Sequence, residues 1–265
     1  MKQAQDFLED SHQLFDLLKD KSDEDFKRKT QFKNWTINDI IGHLHIFNFA
    51  AKLSVKSSDE FKTFFLPIKN ALTKGAPLLD IQNGWLKGLK GQALLETWWE
   101  EAQDLTQNFK IIDPKLRVEW AGPEMSVRSS ITARQMETWA HGQAVFDIIG
   151  KARIENDRIK NIAHLGVLTF DWTFKNRDLE PPKSTPFVQL QSPSGEIWEW
   201  NDPSSSSQVK GLAVDFASVV TQTRNVLDTN MVVIGDGAAQ WMSIAQCFAG
   251  PPENPPKPNT RYPIL

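Results

Sequence analysis

From residue 1 to Gly150, apolar residues recur at helical spacing in stretch after stretch. That commits this part of the chain to helices packed on helices. Phe7, Leu8, Leu14, Leu17 and Leu18 mark a first helix, with a polar break before Asp25 and Phe26. NWTINDIIGHLHIFNFAAKLSV opens a second. Thr36 reads as its N-cap with Asp39 three residues on, a capping box, and Ile37, Ile40, Ile41 and Leu44 form the apolar face. Gly42 within it costs about 1 kcal/mol relative to alanine, and such a glycine permits close helix packing. A third helix is expected from Glu60 to about Leu72, and TKGAP is loop material. QALLETWWEEAQDLTQNFKII follows as a long helix ended by Asp113 and Pro114, and RVEWAGPEMSVRSS, with its AGP turn, reads as an extended loop. The last helix of this half starts from a cap at Ser129 or Ser130 and closes at Gly150. The expected architecture is an antiparallel four-helix bundle with one long connection.

After Gly150 the pattern changes. The charged link KARIENDRIKN leads into IAHLGVLTFDWTFKN, again helical, until LEPPKSTP breaks the chain. PFVQLQSPSGEIWEWND carries a hairpin signal, two alternating strands around a Pro-Ser-Gly turn. A serine-rich loop, the helix AVDFASVVTQTRNV, the short apolar run MVVIG, the helix AAQWMSIAQCF and a proline-rich extended tail complete the chain. The reading is a mainly α protein with a second, small mixed α/β domain: residues 1–153 form the bundle and 154–265 the second domain.

Composition excludes several classes. No run approaches the roughly 20 apolar residues of a membrane span, and MKQAQDFLEDSHQLFDLLKDK lacks the apolar core of a signal peptide. The expectation is a soluble, cytoplasmic protein. The net charge is -3 and no long basic tract occurs, which argues against a nucleic-acid partner. A single cysteine, Cys247, rules out an internal disulfide and a cysteine-only zinc site, and its apolar setting reads as a packed thiol in a helix. No G-x-S-x-G elbow or phosphate-binding glycine loop is present. Ten tryptophans against one tyrosine point to bulky core filling, with an aromatic ligand pocket as the alternative.

One stretch carries chemistry. RQMETWAHGQAVFDIIG sets Glu137 four positions before His141, so both side chains project from one helix face. That is either a polar pair on a wet surface or two thirds of a metal site whose third ligand comes from a facing helix. His43, on the largely apolar second helix, is the natural third, since an unpaired imidazole there would be costly. Two histidines and a carboxylate leave a coordination position open, the pattern of a catalytic zinc site. His45 points to another face and reads as a surface or boundary residue; His12 and His164 read as structural. Asp147 is an orienter of His141 or a solvated carboxylate.

WTINDIIGHL and, about ninety residues later, ETWAHGQAVFDIIG resemble the mycothiol-dependent maleylpyruvate isomerase family within the DinB-like four-helix metal proteins. WAGPEMSVRSSITAR resembles the approach to that family's last bundle helix. GLAVDFASVVTQTRN and GDGAAQWMSIAQCFAGPP look like an uncharacterised branch whose tail is similar to a small domain of wyosine-base-formation proteins. The resemblance implies a divalent metal, zinc first among the choices, on His43, Glu137 and His141, with Arg224 contributed to catalysis by the second domain. It also implies a small-molecule substrate and a low-molecular-weight thiol as cosubstrate. The function expected is that of a metal-dependent thiol transferase or thiol-assisted isomerase. The alternatives are a metal-bound binding or sensing protein without turnover and, less favoured by the acidic balance, an accessory of RNA modification.

Overall fold

The chain's helices form where local signals and apolar faces agree. In the computed structural model, which describes residues 1–122 and 124–264, the N-terminal part holds α1 (Lys2–Leu18), α2 (Ile37–Lys56), α3 (Ser58–Thr73), α4 (Leu78–Leu86), α5 (Gly91–Ile111) and α6 (Val127–Ile149). Thr36 caps α2 as expected. Its hydroxyl accepts from the Asp39 amide at 3.1 Å while the Asp39 carboxylate accepts from the Thr36 amide at 2.8 Å. The bundle is built from α1, α2, α5 and α6. Ala4 and Phe7, Ala51, Ala102, Leu105 and Phe109, and Val127 and Ile131 pack into one buried cluster drawn from all four.

Helices α3 and α4 form the long connection. Phe61, Phe65 and Ile68 of α3 pack on Ile46 and Ala50 of α2, with Ile81 and Trp85 of α4 against the same cluster. α4 had no counterpart in the sequence reading. It lies so close to α2 that a Cβ on Gly42 would stand 2.7 Å from Leu86 Cδ1 and 2.8 Å from Gln82 Nε2, the close packing that glycine permits. The stretch after α5 is not wholly loop. β1 (Arg117–Val118) and β2 (Met125–Ser126) pair antiparallel. α6 then starts at Val127, two to three residues before the expected caps, because Ser126 accepts the Ser129 amide at 3.1 Å and serves as the cap itself. Pro123 of the expected AGP turn lies outside the described residues.

Backbone contacts divide the chain into two compact units, Met1–Ile148 and the part from Ile149 onward. The second unit contains α7 (Lys160–Leu168), α8 (Phe170–Lys175), β3 (Phe187–Gln191), β4 (Ile197–Trp200), β5 (Gln208–Leu212), α9 (Ala213–Val220), β6 (Val232–Ile234) and α10 (Asp236–Ile244). The expected hairpin is β3–β4, antiparallel with Val188 opposite Trp200. The sheet order is β4-β3-β5-β6, with β3 and β5 parallel and β5 and β6 antiparallel. Strand β5 follows the serine loop directly and was not foreseen. α7 packs on α9, and α9 on β3 and β5; Phe170, Phe216 and Trp241 form an aromatic core. Two expected helices are shorter than their apolar pattern. α9 ends at Val220, because Gln222 takes a left-handed conformation at φ 56°, so Arg224 is in a loop. α10 ends at Ile244, so Cys247 is not helical; it is buried in the segment beyond, its amide bonded to the Val220 carbonyl at 2.9 Å. No helix among the described residues is long and apolar enough to cross a membrane.

Candidate metal centre

The two helices that carry the motifs face each other in the bundle. His43 projects from α2, and Glu137 and His141 from α6. The three side chains offer ligand atoms that all lie within 4.8 Å of one another. One carboxylate oxygen, Glu137 Oε2, serves both imidazoles: His43 Nε2 lies 3.4 Å from it and His141 Nε2 3.1 Å. These are long hydrogen bonds, beyond the 2.7–2.9 Å or so of a strong charge-assisted one. They match the roughly 3.3 Å between neighbouring ligand atoms of a tetrahedral ion with bonds near 2.0–2.1 Å.

The protonation states also suit a metal. Burial, then the charge of His141, holds the His43 imidazole down to about 4, so it is neutral near pH 7. Burial pushes the Glu137 carboxyl up, but hydrogen bonds from His141 and His43 outweigh that and leave it well below the usual carboxylate range. A neutral imidazole and an ionised carboxylate are what a divalent cation requires. His43 Nδ1 is buried with no partner among the described residues, so the ring's polar contact is made through Nε2. The donor set therefore fits a divalent ion.

Aromatic side chains wall the site. Trp35 stacks parallel to His141 at 5.9 Å between centroids and lies 5.4 Å from His43. Phe32 meets His141 edge-on at 4.9 Å, and Phe47 lies 4.8 Å from His43. Phe32 and Trp35 come from one tight loop, closed by the Thr30 amide on the Trp35 carbonyl at 2.8 Å, with Lys33 and Asn34 both left-handed. Asparagine takes that conformation more readily than most residues, and it was the one local signal for this loop.

Arg134 was also missed. It sits on α6 one turn before Glu137 and is buried, its Nε donating to Asn48 Oδ1 at 2.9 Å. Nothing in a single sequence separates it from a surface arginine. His45 is not a surface residue: it is buried beside Trp85, with ring centroids 5.0 Å apart. His12 is exposed and faces Asp16 at 3.4 Å, and His164 accepts from Trp200 Nε1 at 3.1 Å. Asp147 is buried and accepts the Gln143 amide at 2.9 Å. Arg224 belongs to the second unit, where it donates to the Thr223 carbonyl at 2.9 Å and lines an open cleft of about 630 Å³ with Asp228, Arg261 and Tyr262.

A four-helix bundle with two histidines and a carboxylate converging from facing helices defines a class of proteins that build polar sites in the bundle core. Within that class, residues 7–146 match the family model of the mycothiol maleylpyruvate isomerase N-terminal domain, and the chain belongs to this family. Two uncharacterized proteins of Mycobacterium tuberculosis, from strains CDC 1551 / Oshkosh and ATCC 25618 / H37Rv, are each 35% identical over 223 residues, 84% of this chain and 86% of theirs. In structure the chain is similar to mycothiol-dependent maleylpyruvate isomerase, with a TM-score of 0.52 at 13% identity over 82% of this chain and 87% of that one. A histidine mutant of that enzyme gives the same TM-score at 12% identity. At such identities the likeness concerns the fold. The family match ends at residue 146 and does not reach the C-terminal tail.

Proposed function

We propose that this protein is a metal-dependent enzyme of the maleylpyruvate isomerase type, acting on a small molecule by thiol transfer or thiol-assisted isomerisation. The observation that carries the reading is the convergence of His43, Glu137 and His141 under an aromatic wall. Family membership supports it. These three residues would hold the ion, zinc by preference, although two imidazoles and a carboxylate suit several divalent metals. A bound divalent ion would supply charge that lowers the pKa of a thiol or water at its open position.

The protein's own residues do the rest. Glu137 stays ionised and His43 neutral, so neither needs to lose a proton before a ligand binds. Phe32, Trp35 and Phe47 exclude bulk water and strengthen electrostatic interactions at the site. Arg224 is assigned to substrate contact from a second domain spanning 154–265, with mycothiol or another low-molecular-weight thiol as cosubstrate.

The test is the metal content of purified wild type beside His43→Ala and His141→Ala. About one equivalent in the wild type, lost in both variants while the helical circular dichroism persists, is the expected result. No uptake by wild type, even after incubation with zinc, would refute the metal reading. With metal bound, thiol-dependent turnover of a maleyl-type electrophile should fall on Arg224→Ala at unchanged metal content; unchanged turnover would remove Arg224 from the mechanism.

A further inference from the structure

Arg134 is a buried cation with no salt bridge among the described residues; the charge that acts on it is that of Glu137, one turn along α6. Its side chain is almost wholly buried, at 2% exposure. Its hydrogen bonds are Nε to Asn48 Oδ1 at 2.9 Å and a long Nη2 contact to the Leu44 carbonyl at 3.4 Å, both neutral acceptors on α2. Among the described residues no carboxylate lies within ion-pair distance of it and Nη1 takes no partner. A buried guanidinium whose only hydrogen bonds go to neutral acceptors is costly, and such groups are normally paired directly. The guanidinium lies over the Phe47 ring, 6.0 Å from its centroid, and the same ring touches His43. Arg134 is thus a neighbour of the metal centre along α6, through Glu137, and across to α2, through Phe47.

We infer that Arg134 is an anion-binding residue of this site, taking a carboxylate of the bound small molecule at the Nη1–Nη2 end of its guanidinium. Asn48 and Leu44 take the Nε–Nη2 edge and hold the plane, which leaves the Nη1–Nη2 end of the fork for a planar, two-oxygen acceptor. Its charge selects an anionic ligand over a neutral isostere, because the neutral molecule would leave the cation unpaired. The inference rests on reading the centre as a small-molecule site.

The experiment is calorimetric titration of zinc-loaded wild type and Arg134→Met with maleate and with its neutral diamide. Maleate is expected to bind wild type and to lose on the order of tenfold or more in affinity in the variant, at equal zinc content. The diamide should bind both proteins alike and weakly. Equal maleate affinity in the two proteins, no maleate binding to wild type, or a diamide as tight as the dianion would each overturn the inference. If Arg134→Met does not fold, Arg134→Lys is read instead: it keeps the charge but loses the fork, and unchanged affinity there counts against the assignment. If the wild type takes up no zinc, the same comparison of wild type and Arg134→Met is made on the metal-free proteins. Anion binding that depends on Arg134 there, with no metal in any sample, refutes the metal function and leaves the inference standing. Zinc uptake without Arg134-dependent anion binding does the reverse.

Discussion

Acid should destabilise this protein, and His45 allows the effect to be sized. Its ring is buried against Trp85, and its Nδ1 has no hydrogen-bond partner among the described residues. Burial, then the charge of Lys52, lowers its pKa from 6.5 to about 4. Between those values the folded protein keeps His45 neutral while the unfolded chain protonates it. The unfolded state then binds more protons, so stability rises with pH and is lost as pH falls from 6.5 towards 4. At about 1.4 kcal/mol per pH unit this amounts to roughly 3 kcal/mol, against a total of about 5–15 for a typical domain. Replacing His45 by Phe keeps a ring beside Trp85 and removes both the titration and the unsatisfied nitrogen. Urea unfolding followed by circular dichroism at several pH values from 7.5 to 4.5 should give a stability profile flatter than wild type by about that amount. At pH 7.5 the two proteins should agree within roughly 1 kcal/mol. His43 titrates in the same range but is present in both proteins, so it cancels in the comparison. Parallel profiles would refute the argument, since they would mean that burial does not hold His45 neutral.

Gly42→Ala should destabilise by roughly 1–3 kcal/mol despite a helix-propensity gain of about 1 kcal/mol. The new Cβ displaces Gln82, whose Nε2 donates to the Asp39 carbonyl at 2.8 Å. A melting temperature equal to or above wild type would show that α2 and α4 have room to spare. Trp35→Ala should open the wall beside His141 and speed removal of zinc by a chelator, with the bound stoichiometry unchanged; an unaltered release rate would mean that Trp35 does not shield the site. Cys247→Ala should leave metal uptake intact, and the wild-type thiol should react slowly with a disulfide reagent until the protein unfolds, because it is buried. Rapid labelling of the native protein would contradict that placement.

The sequence by itself determined what depends on neighbours along the chain. The capping box at Thr36 and Asp39 is a local hydrogen-bond exchange. The face shared by Glu137 and His141 follows from helical geometry, and the β3–β4 hairpin from alternation around a turn. Its errors arose where a local pattern continued beyond its structural limit. The apolar run of AVDFASVVTQTRNV continues past Val220, but a left-handed Gln222 ends α9; Ser129 and Ser130 resemble caps, but pairing with β1 brings Ser126 into that role. Tertiary structure alone decided how closely His43 approaches Glu137, that α4 closes on Gly42, that β5 lies parallel to β3, and that Arg134 is buried without a salt bridge. Each of these rests on contacts between residues far apart in the chain. Such contacts are selected by the burial of apolar faces, which is non-directional and leaves no fixed spacing in the sequence.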